Sequence, residues 1–145
     1  MIDFNRNKII DITSLILRIG FGSFIAFGYG LDKLLTLING EEIMFVSFLG
    51  IPPVIGMIIA IVTELVGGIS LIIGYKTRIV SLFLIFTMLI AILGIHINDP
   101  FFLIYAEGTR TIEFAFIYLL AFTFIFFLGQ GKYSLERWIA RKKIY

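Results

Sequence analysis

The chain has 145 residues, and its formal charge of +2 at neutral pH gives no indication of a nucleic-acid partner. Apolar residues make up 59% of the sequence and charged residues only 15%, so the chain is more apolar than an average soluble domain. A soluble domain of this size could not bury so much apolar surface. The absence of cysteine excludes disulfides and thiolate metal sites. These properties favour an integral membrane protein.

Four long apolar segments follow one another along the chain, at about residues 12–30, 53–74, 79–97 and 111–129. Each is close to the ~20 residues that a helix needs to cross a ~30 Å hydrocarbon core. A buried soluble bundle is the alternative, but four consecutive segments of this length disfavour it. The sequence therefore predicts an all-α fold, in which residues 1–145 form a single transmembrane four-helix bundle.

Two shorter helices are predicted at the membrane surfaces. Apolar residues that follow Glu41 and Glu42 indicate a short interfacial helix on the outer side, within the first connection at residues 31–52. In the tail, Ser134 can cap a new helix because its hydroxyl can accept a hydrogen bond from a free backbone N–H group. This C-terminal helix is amphipathic, and we expect its basic residues to lie on anionic membrane lipid.

The distribution of Lys and Arg predicts the topology. Nine of the twelve basic residues lie in the N-terminal segment, the second connection or the tail: Arg6, Lys8, Lys76, Arg78, Lys132, Arg137, Arg141, Lys142 and Lys143. Cytoplasmic loops carry an excess of such residues. We therefore predict a multi-pass membrane protein with both termini in the cytoplasm.

Four polar residues inside the spans are the strongest functional candidates, namely Arg18, Glu64, His96 and Glu113. A charge at the bilayer centre costs roughly 2.5–3.5 kcal/mol on insertion scales, so such residues usually face the protein interior and are paired. In each of the first two spans, the charge continues a row of small residues with a spacing of four: Gly22, Ala26 and Gly30 after Arg18, and Gly56, Ala60 and Gly68 around Glu64.

Small residues allow helix backbones to approach closely in lipid. We therefore expect the first two spans to pack antiparallel along these rows, and Arg18 to pair with Glu64. This pair has either a structural or a functional role. Near the outer surface, His96 and Glu113 lie at a similar depth, with Asp32 and Lys33 close by at the end of the first span. They are interpreted either as helix-end residues that satisfy one another or as a headgroup-binding or proton-handling site.

Several chemistries lack the residues that they require. One histidine cannot supply two axial haem ligands, and the carboxylates are too dispersed for a di-metal site. No metal site, intrinsic cofactor or catalytic residue is predicted. We do not expect the chain to complete a redox reaction alone.

The sequence resembles the DoxX family of small four-span bacterial membrane proteins. The resemblance is carried by three groups of residues: Leu17, Arg18, Gly28, Gly30 and Lys33; Glu64, Gly67, Gly68, Leu71, Gly74, Thr77 and Arg78; and His96, Glu113, Tyr118, Gly129, Gly131, Ser134 and Leu135. Glu136 departs from the family pattern, in which aspartate is expected.

This resemblance implies a small subunit associated with a quinone-linked oxidoreductase of the bacterial inner membrane, with redox proteins as partners. It also implies a bound quinone in a site lined by Arg18, Glu64, His96 and Glu113. The alternative is a non-catalytic membrane scaffold or a small-molecule transporter. The sequence predicts neither the substrate nor the oligomeric state.

Overall fold

The computed structural model of the chain describes residues 6–43, 50–95, 97–102 and 111–142. Within these ranges the prediction of an all-helical protein is confirmed, since they contain five helices and no β-strand. Helix α1 consists of Arg6–Ser23, Phe24–Gly30 and Leu31–Ile38, and helix α2 consists of Pro53–Ile61, Val62–Val66 and Gly67–Ile73. Helix α3 consists of Thr77–Ile90 and Ala91–Ile95. Helix α4 is Ile112–Leu128, and helix α5 is Leu135–Lys142.

Three of these helices, α1, α2 and α3, are long and apolar enough to cross a membrane. In the most apolar 18-residue stretch of each helix, only 17% to 33% is buried inside the protein, so most of the apolar surface faces outward. A soluble monomer rarely exposes large contiguous apolar patches. The exposed residues are therefore expected to face lipid. Helix α4 is equally apolar and has 17 residues.

Each of the three long helices contains one π-helical segment. These segments are Phe24–Gly30 in α1, Val62–Val66 in α2 and Ala91–Ile95 in α3, and the first two contact each other. Such widened turns are rare in proteins and frequently occur at functional sites. The segment in α2 contains Glu64, so the rare backbone geometry and the buried charge coincide.

Helix α1 extends beyond the end that the sequence indicated. The first span was expected to end near Gly30, but this glycine has helical torsion angles and the helix continues to Ile38. A Cβ atom at Gly30 would collide with the backbone nitrogen of Leu65, so the glycine permits close helix contact and does not end the helix. Most of the predicted outer surface helix falls on residues 44–49, outside the described residues.

The four longer helices form a closed ring of contacts, in which α1 packs against α2 and α4, and α3 packs against α2 and α4. Side chains from all four meet in the core, which contains Ile25, Leu71, Leu84, Met88, Ala115, Phe122 and Ile125. The turn between α2 and α3 begins at Gly74, whose φ of +73° lies in the left-handed region that favours glycine. Because this turn is short, α2 and α3 run antiparallel.

Candidate functional site

Helices α1 and α2 approach each other closely along their small residues. A Cβ atom at Gly22 would lie 3.0 Å from the carbonyl oxygen of Gly68, and one at Gly68 would lie 2.8 Å from the Cβ of Ala26. Ala60 is buried in the same row, and Gly56 is half-buried near the start of α2. The two backbones therefore leave little room for side chains between them, and the polar groups beside this contact are held at fixed positions.

A largely buried ion pair lies along this helix contact, toward the C-terminal end of α1. The Nζ atom of Lys33 lies 2.5 Å from Oε2 of Glu64, and the exposed fractions of the two side chains are 21% and 7%. Side chains tilt toward the N-terminus of their own helix. In an antiparallel pair, Lys33 on α1 therefore points back toward the bundle centre, and Glu64 on α2 points outward to meet it.

Two tyrosines complete the cluster around this ion pair. The Lys33 ammonium lies 5.5 Å from the centre of the Tyr29 ring, close enough for a cation–π interaction. The Tyr29 ring packs edge-on against Tyr118 of α4, with 5.6 Å between the ring centres. We call Tyr29, Lys33, Glu64 and Tyr118 the polar cluster.

The predicted pairing of Arg18 with Glu64 is wrong. Arg18 instead donates hydrogen bonds to the backbone oxygens of Leu71, at 3.4 Å, and Tyr133, at 2.6 Å. Leu71 is seven residues beyond Glu64, or about 10 Å along the helix axis. The direction of the side chains explains the difference, because Arg18 tilts toward the N-terminus of α1 and thus away from Glu64.

Arg18 belongs to a second polar group at the opposite end of α1. Ser14 donates a hydrogen bond of 2.6 Å to the Gly129 carbonyl, and Asp11 accepts one of 2.8 Å from the backbone N–H of Lys132. We call Asp11, Ser14 and Arg18 the tail clamp, because all three hold the segment that follows α4. The buried Arg18 charge lies at the C-terminal end of α2, where the helix dipole favours a cation.

The other predicted site residues are less completely defined. Asp32 is exposed, and no hydrogen bond or ion pair joins it to the polar cluster within the described residues. Glu113 is half-buried in the first turn of α4 and has an interaction partner. His96 lies outside the described residues, so the outer site of His96 and Glu113 stays a prediction. No group of three or more His, Asp or Glu side chains in the described ranges could hold a metal ion.

Sequence reasoning missed Tyr29 as a site residue and assigned no site role to Tyr118. One local signal for Tyr29 was present, because it precedes Lys33 by four residues and so shares its helix face. Tyr118 is far from both in sequence, and only the packing of α4 against α1 brings it to the cluster. In the tail clamp, the spacing of Asp11, Ser14 and Arg18 likewise places them on one face of α1.

Comparison with known proteins assigns the chain to a family. The DoxX family model matches residues 13–97, which is more than half of the chain. The chain belongs to the DoxX family. A Bacillus subtilis (strain 168) protein named "Putative oxidoreductase CatD" is 30% identical over 139 residues, which cover 94% of each chain. No solved structure matches this DoxX protein.

The match to the DoxX model extends over α1, α2 and α3. It therefore includes Arg18 and the ion pair of Lys33 and Glu64, whereas Tyr118 and the tail lie beyond it. Together with the three helices that are long and apolar enough to cross a membrane, the match identifies the chain as a DoxX-family membrane protein.

Proposed function

We propose that this DoxX protein is a small subunit associated with a quinone-linked oxidoreductase system of the bacterial inner membrane. In this proposal the polar cluster contacts the quinone headgroup. The observation that carries it is the largely buried ion pair of Lys33 and Glu64 beside two tyrosines, within a mostly apolar helical domain. The family and the name of the Bacillus relative support an association with an oxidoreductase.

The residues of the cluster fit a quinone headgroup chemically. A headgroup of this kind is flat and apolar, with carbonyl oxygens that accept hydrogen bonds. The Lys33 ammonium has three N–H donors and the whole side chain is 21% exposed, so donors remain beyond the one directed at Glu64. The phenol groups of Tyr29 and Tyr118 can also donate hydrogen bonds, and their rings offer flat apolar surfaces. These residues would bind and orient the headgroup, while the quinone would supply the electron-accepting chemistry.

The proposal includes four membrane crossings with both termini in the cytoplasm. Helix α4 would be the fourth crossing, since it is apolar beyond Glu113 in its first turn and packs against both α1 and α3. Its 17 residues extend about 25 Å, near the thickness of the hydrocarbon core. In this arrangement the tail clamp lies at the cytoplasmic end and the polar cluster lies in the outer half of the membrane.

A membrane scaffold is the second candidate function. The tail clamp supports it, because three side chains of α1 hold the segment before α5 through specific hydrogen bonds. In a scaffold, the ion pair would only lock α1 to α2. Stability alone does not readily explain a buried ion pair, because well-packed apolar residues of similar volume often stabilise a protein equally well. A transporter is a further alternative to the redox-associated function.

Binding of a quinone analogue to the purified protein in lipid nanodiscs tests the proposal. Wild-type protein and the variants Glu64→Gln, Tyr118→Phe and Glu41→Gln would be titrated calorimetrically with a short-chain quinone. Glu41 is exposed beyond the end of α1, so Glu41→Gln is the matched control for loss of a carboxylate. We expect Glu64→Gln to weaken binding at least tenfold, because the carboxylate that holds the Lys33 ammonium beside the headgroup is lost and a hydrogen bond to a charged group contributes about 1.5–3 kcal/mol.

Tyr118→Phe keeps the ring and removes only the hydroxyl, so its expected loss is smaller, about two- to tenfold. Glu41→Gln should bind like the wild type. Circular dichroism would establish that each variant is folded. If the folded wild-type protein binds no quinone analogue, and its lipid extract contains no quinone, the redox-associated proposal fails and the scaffold function is favoured.

A further inference from the structure

Helix α5 is attached to the membrane domain at its first turn. The backbone N–H of Glu136 donates a hydrogen bond of 3.3 Å to the carbonyl oxygen of Gly74, directly after α2. The Ser134 hydroxyl accepts the backbone N–H of Arg137 at 3.3 Å, which is the cap predicted from the sequence. Arg18 holds the carbonyl of Tyr133 just before the helix. The start of α5 is therefore fixed level with the end of α2, at the boundary of the apolar region.

The surface that α5 exposes combines apolar and basic groups. Trp138 is 55% exposed, and Leu135 is 36% exposed on the same face of the helix. The Lys142 ammonium lies 4.2 Å from the centre of the Trp138 ring, so apolar and cationic groups lie in direct contact. Arg137 and Arg141 are also exposed. Against these three cations, the helix contains a single carboxylate, that of Glu136.

We propose that α5 is a docking surface for anionic phospholipid headgroups. The charge of the helix is complementary to such headgroups, and each basic residue near an anionic membrane favours binding about fivefold. An exposed Trp beside Lys and Arg is typical of the interface between lipid and water. The attachment of α5 to the end of α2 supports lipid as the occupant, because it holds the apolar face of α5 beside the lipid-facing surface of the spans.

In this proposal the tail clamp positions α5, a role that is independent of the quinone site. Arg18 and Ser14 contact the segment before α5 and no residue of the polar cluster. They are thus positioning residues, which hold α5 at the membrane boundary. The described part of α5 has eight residues, too few for a stable isolated helix in water, so it needs this support.

Fluorescence provides a direct test, since Trp138 is the single tryptophan of the chain. The full-length protein would be placed in nanodiscs in which a fixed fraction of either phosphatidylglycerol or phosphatidylcholine carries bromine, which quenches tryptophan. We expect brominated phosphatidylglycerol to quench Trp138 at least twofold more strongly. The variant with Arg137→Gln, Arg141→Gln and Lys142→Gln should lose this preference. Lys8→Gln, which removes an exposed cation at the start of α1, should retain it.

Two results would overturn the proposal. Equal quenching by both lipids in the wild type would mean that α5 contacts lipid without selecting anionic headgroups. Quenching by neither lipid would mean that another protein, a second copy of the chain or water covers this face. The clamp is tested by the fluorescence anisotropy of Trp138, which should fall in Ser14→Ala and in Arg18→Lys. An unchanged anisotropy in folded Ser14→Ala and Arg18→Lys protein would refute the positioning role.

Discussion

Replacement of Lys33 by methionine should destabilise the protein by about 3–5 kcal/mol, the usual cost of leaving one partner of a buried ion pair alone. The partner left behind is Glu64, whose side chain is 7% exposed. Methionine keeps most of the volume and removes only the charge. Because both side chains of the pair are well under one third exposed, solvent screening reduces this cost little.

The opposite change, Glu64→Gln, should be milder, at about 1–3 kcal/mol. Lys33 is 21% exposed, so its flexible side chain can move its ammonium toward water or a polar headgroup. The ammonium also keeps its contact with the Tyr29 ring. Combining both changes removes the unpaired charge altogether, so the double variant should be more stable than Lys33→Met alone.

Unfolding of the detergent-solubilised protein by increasing fractions of sodium dodecyl sulfate would measure these differences, with helix content followed by circular dichroism. The four proteins form a double-mutant cycle, whose coupling energy should be at least about 1 kcal/mol for residues in direct contact. If the two single changes are additive, or if Lys33→Met costs less than Glu64→Gln, the pair is not buried and coupled as the structure indicates.

Three further predictions concern packing, pairing and topology. Gly30→Ala places a methyl group against the backbone of α2 and should lower the free energy of unfolding by about 3 kcal/mol. A methyl group at Gly28 would meet no atom within 4 Å, so the control Gly28→Ala should stay within about 1 kcal/mol of wild type in the same unfolding assay. The losses of unfolding free energy in Arg18→Gln and Glu64→Gln should be additive within about 0.5 kcal/mol, because the two residues share no partner. Strong coupling between them would instead support the Arg18–Glu64 pair expected from the sequence. At each terminus, a fused reporter that works only in the cytoplasm should be active, and one that works only in the periplasm should be inactive. Activity of the periplasmic reporter at either end would refute the topology.

The sequence predicted the features that depend on composition and local spacing. Apolar segments of sufficient length indicated membrane helices, and the described helices α2 and α3 begin and end within two residues of the predicted spans. The row of small residues in α1 does lie where α1 and α2 approach most closely, as the contacts of Gly22 and Gly30 show. Such patterns are readable because helix periodicity places residues four apart on one face.

The partner of Glu64 could not be read from the same pattern. Arg18 and Lys33 both lie on α1, and either one reaches Glu64 in some alignment of two antiparallel helices. The alignment is decided where Gly30 meets Leu65, since a side chain at that glycine would collide with the backbone of α2. Side-chain direction then selects Lys33, because only this residue tilts toward Glu64.

The sequence by itself thus determined the class of protein, the helices and the faces on which small and polar residues lie, since each follows from composition or from a period of about four residues. The tertiary structure alone decided which of these residues meet. It joined Lys33 to Glu64, brought Tyr118 to them from α4, and placed Gly129 and Tyr133 against α1. These contacts join residues that are 31 to 115 positions apart in the sequence. They form because the helix backbones pack closely, and a local sequence pattern cannot specify a partner at such a separation.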